Sequence, residues 1–382
     1  MTTATVVPPP PLADGLAAVL RGTNVPWRTL GVPPAEFLER CAEEDLTGLV
    51  YARLRGRPQV DWPPDLSAAL AREARAEAAR ELLRHRELTS VLEVLAAQGI
   101  HPILLKGTPL AYTVYPAPSL RPRRDTDLLV PRAEVDTARR AVTELGYDAP
   151  PYCDGELLFC QFELGRADAF GVRHAFDFHW KISTQTPFAD LLTYEELAAS
   201  AEPVPALGPH ARSAGTLNAL LLACIHPVMH HRNEERLLWV YDVHLLASRL
   251  SAVELHQFAG LAATKGVAAI TAQQLSLARA RFGTSIPEAI TAALGAVPRT
   301  TEPTAAYLQP NRRWHQELGS SIRGLGRWSD RLRLLREVAF PGPSYVLKVY
   351  GVNTGAIGAA LLPALYLHRG IRGVWRVLTG RK

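Results

Sequence analysis

The sequence predicts an α+β fold: a small mixed β-sheet with helices, set between N-terminal and C-terminal helical regions. Three observations predict it. Apolar residues recur at helical spacing before residue 100 and after residue 215. Short apolar runs bounded by Gly and Pro interrupt them between residues 102 and 182. The composition, 47% hydrophobic and 21% charged over 382 residues, is that of a globular chain able to bury a large core.

The elements follow in order. Pro8 to Pro11 stiffen a leader over residues 1–14. Residues 15–84 form an N-terminal helical region, with short helices between turns such as Val32-Pro33-Pro34. Pro63-Pro64-Asp65 opens a long helix with Asp65 as expected N-cap. Leu88, Val91, Leu92 and Leu95 fall on one stripe of it, and Gly99 ends it.

A core over residues 85–200 takes up the strands. Pro102 to Leu105 reads as a buried strand, Lys106-Gly107-Thr108 as a turn, and the apolar stretch to Tyr115 as a short helix. Thr126 to Val130 is a second strand, with Asp125 and Asp127 alternating with Thr126 and Leu128. Pro131 starts a helix with Val135, Ala138, Val142 and Leu145 on one side and Gly146 at its end. Leu157–Leu164 and His174–Ile182 read as further strands. A helical domain over 210–297 follows, with helices expected at 216–231, 236–250, 253–265 and 268–282. Residues 298–382 read as a linker-like stretch, to Pro310, and a basic tail.

Charge is unevenly distributed. The formal net charge is +5, yet residues 311–382 carry 13 Lys+Arg against 3 acids, so the body before them is acidic. The four cysteines show no CxxC pair and no zinc-like spacing, which argues for reduced thiols rather than a disulfide scaffold. The N-terminus has neither a basic n-region nor an apolar core, so a cytoplasmic protein is expected.

The chemistry concentrates between Leu104 and Trp180. Asp125 and Asp127, two apart on a strand, point to one face. Adjacent carboxylates repel and resist burial, and a divalent cation resolves the conflict. Mg²⁺ takes one or two carboxylates and fills its remaining positions with water and phosphate oxygens. Two such ions form the clamp of phosphoryl and nucleotidyl transfer. In Lys106-Gly107-Thr108 the glycine lets the backbone approach a phosphate, Thr108 adds a hydroxyl and Lys106 a charge. Arg121, Arg123 and Arg124 are placed to hold a triphosphate. Asp177 is the candidate third carboxylate; His179 shares its strand face, while Phe176, Phe178 and Trp180 share the other.

These residues resemble a known family. Lys106-Gly107, Leu110-Ala111, Tyr115-Pro116, Arg121, Asp125-Thr126-Asp127-Leu128-Leu129-Val130 and the later Asp177-Phe178-His179-Trp180 look like the uncharacterised bacterial nucleotidyltransferases of the polymerase-β-like superfamily. His226, His230 and Trp239-Val240-Tyr241-Asp242 match a further helical element of that pattern, and the likeness covers roughly residues 85–250. It implies a polymerase-β-like core in which Asp125, Asp127 and Asp177 are catalytic and bind two Mg²⁺ ions. Lys106, Gly107, Thr108, Arg121, Arg124 and His179 would bind the nucleotide. The implied reaction moves NMP from an NTP, such as ATP, to a small-molecule, sugar or peptide acceptor. The alternative is a catalytically inactive relative that binds nucleotide or a partner protein.

Other features have open readings. His226 and His230, four apart on a helix, suit either a structural role or contact with base or phosphate. His174 is grouped with His179 because it neighbours Asp177, and Cys153 and Cys160 read as buried thiols. The apolar run Gly355–Leu367, 13 residues long, is too short to span a bilayer. With the bases after it, it suits an interfacial helix on anionic membrane, docking on the acidic body, or, least of the three, nucleic acid.

Overall fold

A computed structural model describes residues 11–57, 61–148, 157, 159–309, 312, 314–353 and 355–379. Cys153, Leu158, Arg381, Lys382 and most of the Pro-rich leader lie outside them. One six-stranded mixed sheet sits among helices, an α+β arrangement. Its strands are β1 (Ile103–Leu105), β2 (Thr126–Leu129), β3 (Gln161–Ala167), β4 (Arg173–His179), β5 (Glu202–Pro203) and β6 (Arg212–Ser213), in the order β3-β4-β2-β1-β6-β5. The pairs β2–β4 and β1–β6 are parallel and the others antiparallel.

Alternation along the strands gives the sheet two unlike faces. On one, Leu104, Leu128, Phe176 and Phe178 join a buried cluster with Leu88, Val91, Leu92 and Leu95 of the Pro64–Ala97 helix and Val135, Ala138 and Val142 of the Val135–Glu144 helix. The expected stripe on the long helix is therefore what covers the sheet. On the other face Ile103, Leu105 and Leu129 belong to a larger cluster that includes Leu16, Ile225 and Phe258. Along β2 and β4 this second face changes from apolar to polar at Asp127, Asp177 and His179, and there the candidate site lies.

The long helix stops as its sequence suggests. Gly99 takes φ +75°, and the Ile100 N–H reaches back to the Leu95 carbonyl at 2.9 Å. Its start differs from expectation: Pro63 is the N-cap and makes no side-chain cap bond, with Asp65 inside the first turn. Proline at the first helical position needs no N–H partner, and Asp65 still complements the helix dipole.

Other differences are local. β3 begins at Gln161 rather than Leu157 and runs to Ala167, where Asp168 accepts from the Phe170 and Val172 N–H groups and turns the chain. β5 and β6 have two residues each, too few to show a period. The linker-like stretch after Pro298 is folded into 3₁₀ turns. There the buried Glu302 carboxylate accepts from the Ala268 and Ala269 N–H groups at 2.7 and 2.9 Å, capping the Ala268–Phe282 helix. The basic tail is helical, ending in Ala356–Thr379, longer than the apolar run alone suggested. Cys41, Cys160 and Cys224 are buried.

Candidate active site

Register builds the site. Asp127 of β2 and Asp177 of β4 are direct partners across a parallel pair, and Leu105, next to Lys106, opposes Asp127 from β1. His179 lies two residues after Asp177, so period two returns it to the same face. Lys106 Nζ donates to Asp127 Oδ1 at 2.6 Å. His179 Nε2 lies 2.9 Å from the same oxygen and 3.3 Å from Asp177 Oδ2. Gln161 Nε2, from β3, donates to Asp177 Oδ2 at 2.8 Å. Asp177 Oδ1 and His179 Nδ1 are buried with no hydrogen-bond partner.

The electrostatics follow from these contacts. Burial works against the charge of Asp127, but Lys106 and His179 overcome it and hold this carboxyl well below the usual range. Burial also opposes the His179 imidazolium; the charge of Asp177 and hydrogen bonds to both carboxylates prevail and raise it to about 9. Lys106 is likewise raised, against burial, chiefly by Asp127. Asp125 stands at the exposed rim, one residue before β2 begins. Enclosure by surrounding protein, then the charge of Asp127, raises it to about 6.

Asp127, Asp177 and His179 offer ligand atoms within 4.8 Å of one another, a group that can hold a metal ion. Asp125 is not in this group. The donor set fits a divalent cation: two carboxylates supply hard oxygens, and one oxygen of Asp177 is still unsatisfied.

Lys106 has a backbone of φ 57°, ψ −133°, a region that non-glycine residues rarely enter. Such a conformation costs about 1–3 kcal/mol and persists only where the surroundings impose it. Its effect here is to turn the chain from β1 into the Gly107–Thr113 helix while the ammonium stays on Asp127.

The three arginines part company. Arg121 forks onto Asp242 of the Leu237–Ala247 helix, with Nε at 2.9 Å from Oδ1 and Nη2 at 2.8 Å from Oδ2. Tyr115 donates to Asp242 Oδ1 at 2.6 Å, and Arg121 Nη1 donates to the Pro122 carbonyl at 2.9 Å. A Cβ on Gly107 would stand 3.1 Å from the Arg121 guanidinium carbon, so glycine is what lets the turn pack on this ion pair. Arg123 is buried on Glu81 at 2.6 Å. Arg124 is exposed. Thr108 is buried, with its hydroxyl 3.5 Å from that of Thr126.

His174 is not at the site. Three residues from Asp177, it faces the opposite way and pairs with Asp168 at 2.9 Å; strand parity already separated the two. Gln161 was missed, and Tyr115 was singled out only as part of the family pattern, because nothing local marks a glutamine or tyrosine that meets a carboxylate from a distant strand or helix. His226, His230 and His231 form a ring cluster with Trp239, where the His231 ring lies 4.3 Å from the indole. Burial first, then the charge of Lys106, lowers His230 to about 3 and keeps His226 well below its ordinary value. Both are therefore neutral at pH 7, and His226 Nδ1 and His230 Nε2 are buried without partners. A cavity of about 180 Å³ adjoins the Lys106–Gly107 turn, with Leu110, Ala219, Leu222 and His226 in its wall.

A family model described as an uncharacterised nucleotidyltransferase matches residues 31–283. The matched span contains the carboxylate cluster, the Arg121–Asp242 pair and the histidine cluster. Comparison with curated proteins gives no match.

Proposed function

We propose a reaction for this chain on one premise: it belongs to the uncharacterised nucleotidyltransferase family, and is thus a transferase of phosphorus-containing groups. The finer reading is a Mg²⁺-dependent transfer of NMP from an NTP, ATP among the candidates, to a hydroxyl of a small-molecule, sugar or peptide acceptor. The observation that carries it is the pair of buried Asp127 and half-buried Asp177, in register on adjacent strands, in which Asp177 Oδ1 is buried without a hydrogen-bond partner. A purely structural cluster has no use for an unsatisfied buried carboxylate oxygen, which costs about 1–3 kcal/mol.

In this reading Asp125, Asp127 and Asp177 would hold the two ions, with Asp177 nearest the acceptor. When bound, the ions would lower the pKa of the acceptor hydroxyl and offset phosphate charge. The chain's own groups do the rest. Gln161 fixes the rotamer of Asp177. Asp177 takes the hydroxyl proton as the acceptor oxygen bonds to the α-phosphorus and the bond to the β-phosphate oxygen breaks, releasing pyrophosphate. Lys106, Gly107 and Thr108 edge the nucleotide. Arg124 meets phosphate charge at the rim, while Arg121 serves Asp242. The NTP pool makes the cytoplasm the natural setting.

The test is transfer of label. Incubation with α-labelled NTPs, Mg²⁺ and cell extract should yield a labelled product, absent from the Asp125→Asn, Asp127→Asn double variant at unchanged fold. Full transfer by that variant contradicts the reading. A second reading, a nucleotide-binding relative without turnover, is favoured by one contact: the Lys106 ammonium at 2.6 Å already neutralises Asp127. It predicts thermal stabilisation by NTP and Mg²⁺ with no pyrophosphate released in any acceptor pool.

A further inference from the structure

The tail beyond residue 311 is built unlike the body. Its helices Trp328–Ala339, Pro343–Val349 and Ala356–Thr379 bury Leu334, Val346 and Leu347 inward. The last helix is fastened on its inner side, where Gly358 is buried against Leu347 and Tyr366 donates to the Pro341 carbonyl at 2.5 Å; on its exposed side Tyr350 meets His368 at 2.9 Å. A surface helix normally turns its apolar stripe inward. Here the opposite side is also apolar. Ile357, Leu361, Leu367, Ile371 and Trp375 recur at helical spacing and are 41–78% exposed. Trp328, Leu332 and Leu335, at i, i+4 and i+7 of an earlier helix, repeat the arrangement at 43–74% exposure. Phe340, Tyr366, Leu367, Ile371 and Trp375 together line an apolar groove.

We infer that this outward face lies on an anionic lipid surface. Charge complementarity decides the occupant. Residues 311–382 carry 13 bases and 3 acids, with no acid after Glu337. Arg372 borders the stripe on the last helix, and Arg331 and Arg336 border that on the earlier one. A helix with aromatic and aliphatic residues on one side and arginines along its edge lies in the headgroup plane, apolar side down. A second copy of this chain brings the same basic surplus to the same face and is repelled. No described helix is long and apolar enough to cross a membrane, so the contact is one of lying on the surface. This inference is independent of the reaction proposed above, since it uses none of the site residues.

The full chain should sediment with vesicles of phosphatidylcholine and phosphatidylglycerol at least tenfold more tightly than with phosphatidylcholine alone. That preference should weaken as salt rises. The double variant Leu367→Glu, Ile371→Glu, whose positions are exposed, should keep the parent's thermal midpoint and lose sedimentation. Arg336→Glu, Arg372→Glu should lose the preference for anionic vesicles. Absence of sedimentation with anionic vesicles at low salt overturns the inference, as does equal sedimentation by the Leu367→Glu, Ile371→Glu variant. A concentration-dependent dimer that these glutamates abolish, without lipid binding, gives the face to a second copy instead and equally overturns it.

Discussion

Two buried ionic clusters flank the Lys106–Gly107 turn, and they are finished differently. In the first, Arg121, Asp242 and Tyr115 satisfy one another: a two-pronged guanidinium–carboxylate fork, a phenol on the same carboxylate, and the remaining arginine nitrogen on a carbonyl. In the second, Lys106, Asp127, His179 and Asp177 are also in contact, but a carboxylate oxygen and an imidazole nitrogen are left unsatisfied, and Lys106 has an unfavourable backbone. Completeness separates a clamp from a site. The clamp joins the sheet's turn to the Leu237–Ala247 helix 121 residues away. The second cluster leaves an oxygen of Asp177 without a protein partner, and the reaction proposed above gives that oxygen to a metal ion.

That contrast can be broken most severely at the clamp. Arg121→Ala removes one partner of a buried pair and should cost about 3–5 kcal/mol in denaturant unfolding. An unchanged midpoint with lost NTP binding would make Arg121 a phosphate ligand and erase the distinction. At the site, Asp177→Asn should reduce transfer by roughly 10³-fold, the equivalent of several kcal/mol of transition-state charge stabilisation, while the unfolding midpoint hardly moves. A large loss of stability at near-normal turnover would reverse the assignment.

Much of this was readable beforehand, and the reason is parity. Asp177 and His179 are two apart on a strand, and period two gives them one face without any knowledge of the sheet; the same spacing was read for Asp125 and Asp127, though only Asp127 lies on a strand. Strand register then added what no local pattern contains: that Asp127 and Asp177 are neighbours, and that Asp125 precedes the strand rather than belonging to it. His174 was a lapse in the same rule, since three residues from Asp177 is the wrong parity. Arg121 was out of reach for another reason. A basic run beside a carboxylate pair reads as phosphate-binding until a partner far along the chain comes into view, and Asp242 is fixed by tertiary packing alone. The positive φ of Lys106, where glycine follows rather than fills the position, has no sequence signal.

Smaller perturbations sharpen the comparison. Gln161→Ala frees Asp177 to rotate and should weaken divalent-ion affinity about 10–100-fold at little cost in stability, as loss of an orienting partner does; titration calorimetry reads it. Gly107→Ala presses a methyl 3.1 Å from the Arg121 guanidinium carbon. It should destabilise by about 1–2 kcal/mol through the clamp, with turnover reduced less than by Asp177→Asn. A Gly107→Ala protein as stable as the parent would show that the fork has slack.

The most direct measurement is divalent-ion binding, followed with Mn²⁺ by electron paramagnetic resonance on three proteins: the parent, Asp177→Asn and Asp242→Asn. The parent should bind the ion. Asp177→Asn should lose most of that affinity while its thermal midpoint stays near the parent's, and Asp242→Asn should lose stability while its folded fraction still binds. Equal Mn²⁺ affinity in the parent and Asp177→Asn would contradict the account, because the unsatisfied carboxylate would then hold nothing.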